Sequence, residues 1–122
     1  MKEIKVPKPW GHEIIWAHTD KYVAKILFIK AGENLSLQYH DIKEETIRVL
    51  SGILYLEQAT DWGSPTERRW TETLQPGACF HVEPATIHRF SARETDVTLM
   101  EVSTPELFDV VRLEDSYGRK AQ

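Results

Sequence analysis

Four side chains in this sequence have the types and spacing to hold a divalent cation: Gln38, His40, Glu45 and His88. They offer two imidazoles, one carboxylate and one amide oxygen, a set that suits a first-row metal with a position left for water or substrate. Gln38 and His40 stand two residues apart, which on a strand projects both to one side. Glu45 follows across a short turn and can reach the same point if the next strand pairs with the first. His88 must arrive from elsewhere in the fold. Spacing alone leaves a second reading open, in which one or two of the chain's five histidines are merely hydrogen-bonded core residues.

The elements that would position these groups are strands. Runs rich in β-branched and aromatic residues occupy 22–30, 36–40, 46–50, 53–57, 69–74, 78–82, 87–91 and 97–103, with turn residues between them. Strands at that spacing predict an all-β sandwich or barrel. Helical periodicity is weak, and the one helical expectation is a short C-terminal turn around 106–110. The charged stretch 61–69, with Trp62 and Trp70 near its ends, reads as an exposed hairpin loop. Side chains alternate along a strand, so Glu45 shares a face with Ile47 and Val49, and His88 with Phe90. A carboxylate on such an apolar face needs a partner or a metal, because burying it alone is costly.

Composition narrows the classes of partner. Nineteen acidic against fifteen basic side chains in 122 residues give a net charge of −4. That balance lacks the broad basic face of a nucleic-acid binder, yet leaves room for a small basic pocket that takes a phosphorylated metabolite. The length fits one domain, 1–122. A single cysteine, Cys79, excludes an internal disulfide framework and is expected to be a small buried hydrophobe. No apolar run approaches the ~20 residues of a membrane span, and the first residues lack a signal-peptide core. A cytoplasmic protein without a membrane partner is the expectation.

The motifs add a resemblance. Residues 32–40 (GENLSLQYH), followed by Glu45 and Gly52, resemble the first motif of the cupin superfamily, with Gln38 in place of the usual first histidine. Residues 77–88 (GACFHVEPATIH) resemble the second motif, where Glu83 stands for the usual proline and Ala85 for the usual glycine. Within cupins, LSLQYH and KEETIRVLSG are similar to the metal motif of type II mannose-6-phosphate isomerases, which also carry a glutamine. KPWGHE at 8–13, VAKI at 23–26, LMEV at 99–102 and DVVRLEDSYGR at 109–119 match further stretches of that family. Where the family usually has a catalytic arginine this chain has Lys43, and Asp41 and Ile42 replace further histidines. Many members fuse this domain behind a sugar-nucleotide pyrophosphorylase, and that second activity is not expected in these 122 residues.

The resemblance implies a single jelly-roll barrel with Gln38, His40, Glu45 and His88 around a divalent metal, zinc first, with manganese, nickel, cobalt or iron also compatible. It implies aldose–ketose isomerisation of a sugar phosphate such as mannose 6-phosphate, and a homodimer packed through the strand at 23–29. Glu101 would be the base, or else a structural carboxylate paired with Lys25 or Arg89. Lys43 and Lys25 would meet the phosphate or the reacting oxygens, or else lie solvated on the surface. Arg112 would bind phosphate, or else pair with Glu114 and Asp115. His12, His18 and His81 are expected to have no ligand role, and Trp10 and Trp16 to pack against the barrel or a partner subunit. Two other functions compete: a different metal-dependent cupin enzyme, such as a dioxygenase or decarboxylase, and a non-enzymatic module that binds a small sugar or metabolite.

Overall fold

The computed structural model describes residues 2–119, and within them the two-residue periodicity becomes eleven strands. They are β1 (Ile4–Lys8), β2 (Gly11–His18), β3 (Val23–Ile29), β4 (Leu37–Tyr39), β5 (Glu45–Ser51), β6 (Leu54–Thr60), β7 (Arg68–Leu74), β8 (Cys79–Val82), β9 (Ile87–Ser91), β10 (Val97–Ser103) and β11 (Val111–Glu114). One antiparallel sheet has the order β1-β2-β3-β10-β5-β8 and the other β11-β4-β9-β6-β7. From β3 onward the chain passes back and forth between the sheets, so their inner faces close on one another as a jelly-roll barrel. The all-β expectation holds. Among the described residues no helix is long and apolar enough to cross a membrane.

The expected helical turn near 106–110 is not formed. Its backbone groups are committed elsewhere. Thr104 donates its N–H to the Glu44 carbonyl at 3.0 Å, and the Asp109 carbonyl accepts a bond from His40. Pro105 has no N–H to give, and by Val111 the chain is already paired with Tyr39 as β11. Gly11 lets the start of β2 lie close against β3: a Cβ there would lie 2.0 Å from the Phe28 carbonyl oxygen.

Polarity divides the barrel interior along its axis. Cross-strand rows such as Leu27–Leu99–Val49 and Ile29–Val97, with Trp10, Leu54, Leu56 and Phe90, form an apolar plug. Two to four residues further along β3, β5, β9 and β10 the inward side chains become Lys25, Glu45, His88 and Glu101, joined by Glu13 of β2, all buried. The apolar rows fix strand register, since a one-residue slip would turn every inward group outward. They thereby aim the charged ones. Cys79 departs from expectation: β8 is a sheet edge, and its thiol is exposed on the outer side opposite Arg48.

Candidate metal centre and cavity

Three strands and one turn deliver the central groups. β4 ends at Tyr39 and passes His40 into the turn before β5, which opens with Glu45; His88 lies on β9, where it pairs with Gln38 of β4. His88 Nε2 is 3.3 Å from Glu45 Oε1, and His40 Nε2 is 3.8 Å from the same oxygen. One ligating atom from each of His40, Glu45 and His88 lies within 4.8 Å of the others.

Each imidazole is oriented from behind. His40 Nδ1 lies 2.5 Å from the Asp109 carbonyl oxygen, and His88 Nδ1 lies 2.9 Å from that of Thr86. A carbonyl only accepts, so both Nδ1 atoms carry the hydrogen and both Nε2 atoms are left with lone pairs in the neutral rings. Burial, the largest influence, lowers the His40 pKa against the opposing pull of Glu45. In the neutral rings two imidazole lone pairs would face a carboxylate, acceptor against acceptor. His88 Nε2 is buried and makes no hydrogen bond among the described residues. A cation between the three completes this arrangement, and the residues fit a divalent metal.

Gln38 is the fourth expected member. Its Oε1 accepts a 2.6 Å bond from the Ser36 hydroxyl, while its Nε2 lies 3.4 Å from His40 Nε2. In this orientation the amide nitrogen faces the histidines. Turning the amide over exchanges nitrogen and oxygen, and the Ser36 hydroxyl can then accept instead of donate.

Beside this centre lies a second charged group. Lys43 Nζ sits 3.2 Å from Glu45 Oε2 and 3.2 Å from Glu101 Oε2. Burial works against the Lys43 charge, but Glu101 and Glu45 hold its pKa above the ordinary 10.5. Burial also opposes ionisation of Glu45, yet His88 and Lys43 hold its carboxyl well below the usual range. Glu101 goes the other way: burial first, then the Glu45 charge, push it up to about 7, with Lys43 and Lys25 pulling against them. A nearby divalent cation would draw it back down. Further along the same sheet Lys25 Nζ is 3.4 Å from Glu13, and Lys8 is 3.9 Å from that carboxylate.

Gln38, His40, Lys43, Glu45 and Glu101, with Lys8, Glu13 and Lys25, line a cavity of about 320 Å³, within the ~300–1,000 Å³ usual for small-molecule sites, and His88 lies behind them. Trp10, Leu27, Leu35 and Phe90 supply its apolar wall, and Leu107, Phe108, Val110 and Arg112 its border.

Several of these side chains have identifiable partners. Lys25 and Lys43 are 7% and 6% exposed, so neither is solvated. Glu101 is ion-paired with Lys43 rather than with Lys25 or Arg89; Lys25 has Glu13, and Arg89 has Glu57 and Glu114. Glu114 is gripped by Arg69 and Arg89, and Asp115 by Arg119 at 2.9 Å. Arg112 lines the cavity, where burial lowers its pKa, the Arg119 charge adds to that, and Asp115 opposes it. His12 stacks on Phe28, and His81 pairs with Glu44 on the outer surface. Trp10 is in the core and Trp16 is 41% exposed. Sequence reasoning did not find Glu13, Ser36 or Asp109 as supports of the site. Glu13 alone carried a signal, as a carboxylate that alternates with Ile15 on one strand face.

Comparisons with known proteins extend this picture. The family model described as mannose-6-phosphate isomerase C-terminal matches residues 1–115. Among curated proteins, none matches the chain. In structure the chain is similar to the capsular polysaccharide assembling protein CapF from Staphylococcus aureus, at 15% identity and TM-score 0.75 over 93% of this chain and 34% of that one. It is similar to KdgF from Halomonas sp. at 23% identity and TM-score 0.64, covering 87% of this chain and 89% of that one. Oxalate decarboxylase from Bacillus subtilis aligns at 13% identity and TM-score 0.76, with 92% and 30% covered. The chain thus spans about a third of the length of CapF and of the decarboxylase. At these identities the likeness establishes the fold alone.

Proposed function

The chain belongs to the mannose-6-phosphate isomerase C-terminal family of cupins, and from that premise we propose that it is a metal-dependent aldose–ketose isomerase acting on a small sugar phosphate, with mannose 6-phosphate and fructose 6-phosphate as the first pair. The observation that carries the reading is the placement of Glu101, a buried carboxylate held 3.2 Å from Lys43 beside the three-residue cluster. A carboxylate so placed can take a proton from C2 and return it at C1, which is what moving hydrogen between the two carbons demands.

Gln38, His40, Glu45 and His88 would hold the metal, zinc first. When bound, a divalent metal supplies Lewis-acid polarisation of a sugar carbonyl. Glu101 removes the C2 proton and delivers it to C1, while the O2 hydroxyl proton passes to O1, so that the C1 aldehyde becomes an alcohol and C2 becomes the ketone. Lys43, fixed between two carboxylates, keeps positive charge next to the oxygens that gain negative charge. Lys25 and Arg112 receive the phosphate at the other side of the cavity. Apolar side chains of the wall keep water from the exchanged proton.

Supporting readings concern the whole chain. Residues 1–122 work as one domain around this cavity. Trp16 on β2 and Val102 on β10, 41% and 48% exposed on the outer face of the larger sheet, with half-buried Ile26 and Phe28 on the strand β3 that separates theirs, support a homodimer through that face. An exposed lone thiol, Cys79, suits a reducing cytoplasm. The direct test is turnover: zinc-loaded protein should convert mannose 6-phosphate to fructose 6-phosphate, and chelation should stop it. Metal binding without turnover of any sugar phosphate would favour the binding-module reading instead.

A further inference from the structure

The turn between β4 and β5 carries His40 and Lys43 and leads into Glu45, yet has no regular structure of its own. Much of its support comes from outside, from Asp109 in the segment that joins β10 to β11. The Asp109 carboxylate accepts the backbone N–H groups of Asp41 at 3.2 Å, Ile42 at 2.7 Å and Lys43 at 2.9 Å. Its own backbone carbonyl accepts the Nδ1–H of His40. Thr104, at the other end of the segment, accepts the Glu44 N–H at 3.0 Å.

We propose that Asp109 is a positioning residue for the metal centre: by clamping segment 104–110 onto the β4–β5 turn it fixes the Nδ1–H tautomer of His40 and thereby sets metal affinity. The inference rests on the metal reading of the cluster. Its physical basis is a competition for one ring proton. On one side of the imidazole is the Asp109 carbonyl; on the other, 3.8 Å from Nε2, is Glu45 Oε1. With the carbonyl in place the proton stays on Nδ1 and Nε2 keeps the lone pair that a cation needs. Without it, the proton moves to Nε2, faces Glu45, and must be displaced before a cation can bind. Partners of this kind behind a ligating histidine tune affinity through its tautomer and orientation.

Linkage makes the effect reciprocal: if the docked segment favours the metal, the metal favours the docked segment. Leu107, Phe108 and Val110 of the same segment border the cavity, and Phe108 is 85% exposed. A filled centre and a shaped cavity mouth therefore come together.

The test compares wild type with Asp109→Ala and Asp109→Asn by zinc competition against a chromogenic chelator, and by nitrogen NMR of the imidazoles in the metal-free proteins. Asp109→Ala should bind zinc ~10–100-fold more weakly, with His40 shifted from Nδ1–H towards Nε2–H. Asp109→Asn, which keeps one acceptor oxygen, should fall between, and it carries the test if the alanine variant does not fold. In wild type, zinc should also slow hydrogen exchange at the amides of Asp41, Ile42 and Lys43. Zinc affinity within twofold of wild type, or weaker binding with the His40 tautomer unchanged, overturns the role of Asp109 and leaves the metal reading standing. Failure of wild type itself to bind zinc overturns both.

Discussion

At the scale of the residue, Glu45 is the pivot. One of its oxygens faces two imidazoles and the other faces Lys43, so it joins the candidate ligand cluster to the candidate base. Replacing His88 or His40 by alanine is expected to abolish stoichiometric metal binding while the barrel still folds, since the apolar plug lies further along the strands. Metal analysis with circular dichroism reads this, and a full complement of metal in either variant would refute the ligand set. Lys43→Ala would leave two buried carboxylates without their shared counter-charge, at a cost of about 3 kcal/mol in the metal-free protein at neutral pH. Urea denaturation measures that cost. Lys43→Arg keeps the charge and should hold or raise turnover; an alanine variant as stable as wild type would make Lys43 a bystander. Glu45, His88 and Glu101 were legible in the sequence because strand alternation alone turns them inward. Asp109 was not: its bonds run to backbone N–H groups 66–68 residues away, and a backbone partner leaves no mark on residue type.

At the scale of the element, the turns carry more information than the strands. Eight runs read as strands became β3 to β10 with shifts of up to three residues, because β-branched content and turn punctuation are local signals. The strand β11 was hidden because its four half-buried residues pair with β4, another short strand, and take their order from that contact. The helical expectation around 106–110 failed for the matching reason. Propensity there is outweighed by Thr104 and Asp109, which bond to the β4–β5 turn. The β8–β9 turn offers a quantitative check. Ala85 has φ +67°, the left-handed region where a Cβ is unfavourable, at the position where related motifs have glycine. Ala85→Gly should therefore stabilise the protein by about 0.5–1 kcal/mol after the added entropy of the unfolded chain is subtracted. Thermal unfolding should shift upwards by ~2–5 °C, and a lower midpoint would mean that the turn is not strained.

At the scale of the whole molecule, the net charge of −4 conceals a local excess of the opposite sign. The cavity is lined by Lys8, Lys25, Lys43, Arg112 and Arg119 against Glu13, Glu45 and Glu101, five cations to three carboxylates. That balance favours an anionic substrate over a neutral sugar, and it is why a sugar phosphate is placed first. The division of the interior into an apolar plug and a charged chamber gives the barrel rigidity where the chemistry needs fixed groups. The most direct test of the account is isotope exchange. Zinc-loaded protein incubated with mannose 6-phosphate in deuterated water should exchange the C2 hydrogen for deuterium, and Glu101→Gln should stop the exchange without releasing the metal. Absence of exchange at every pH from about 6 to 9, with metal bound and across a panel of sugar phosphates, would contradict the isomerase account.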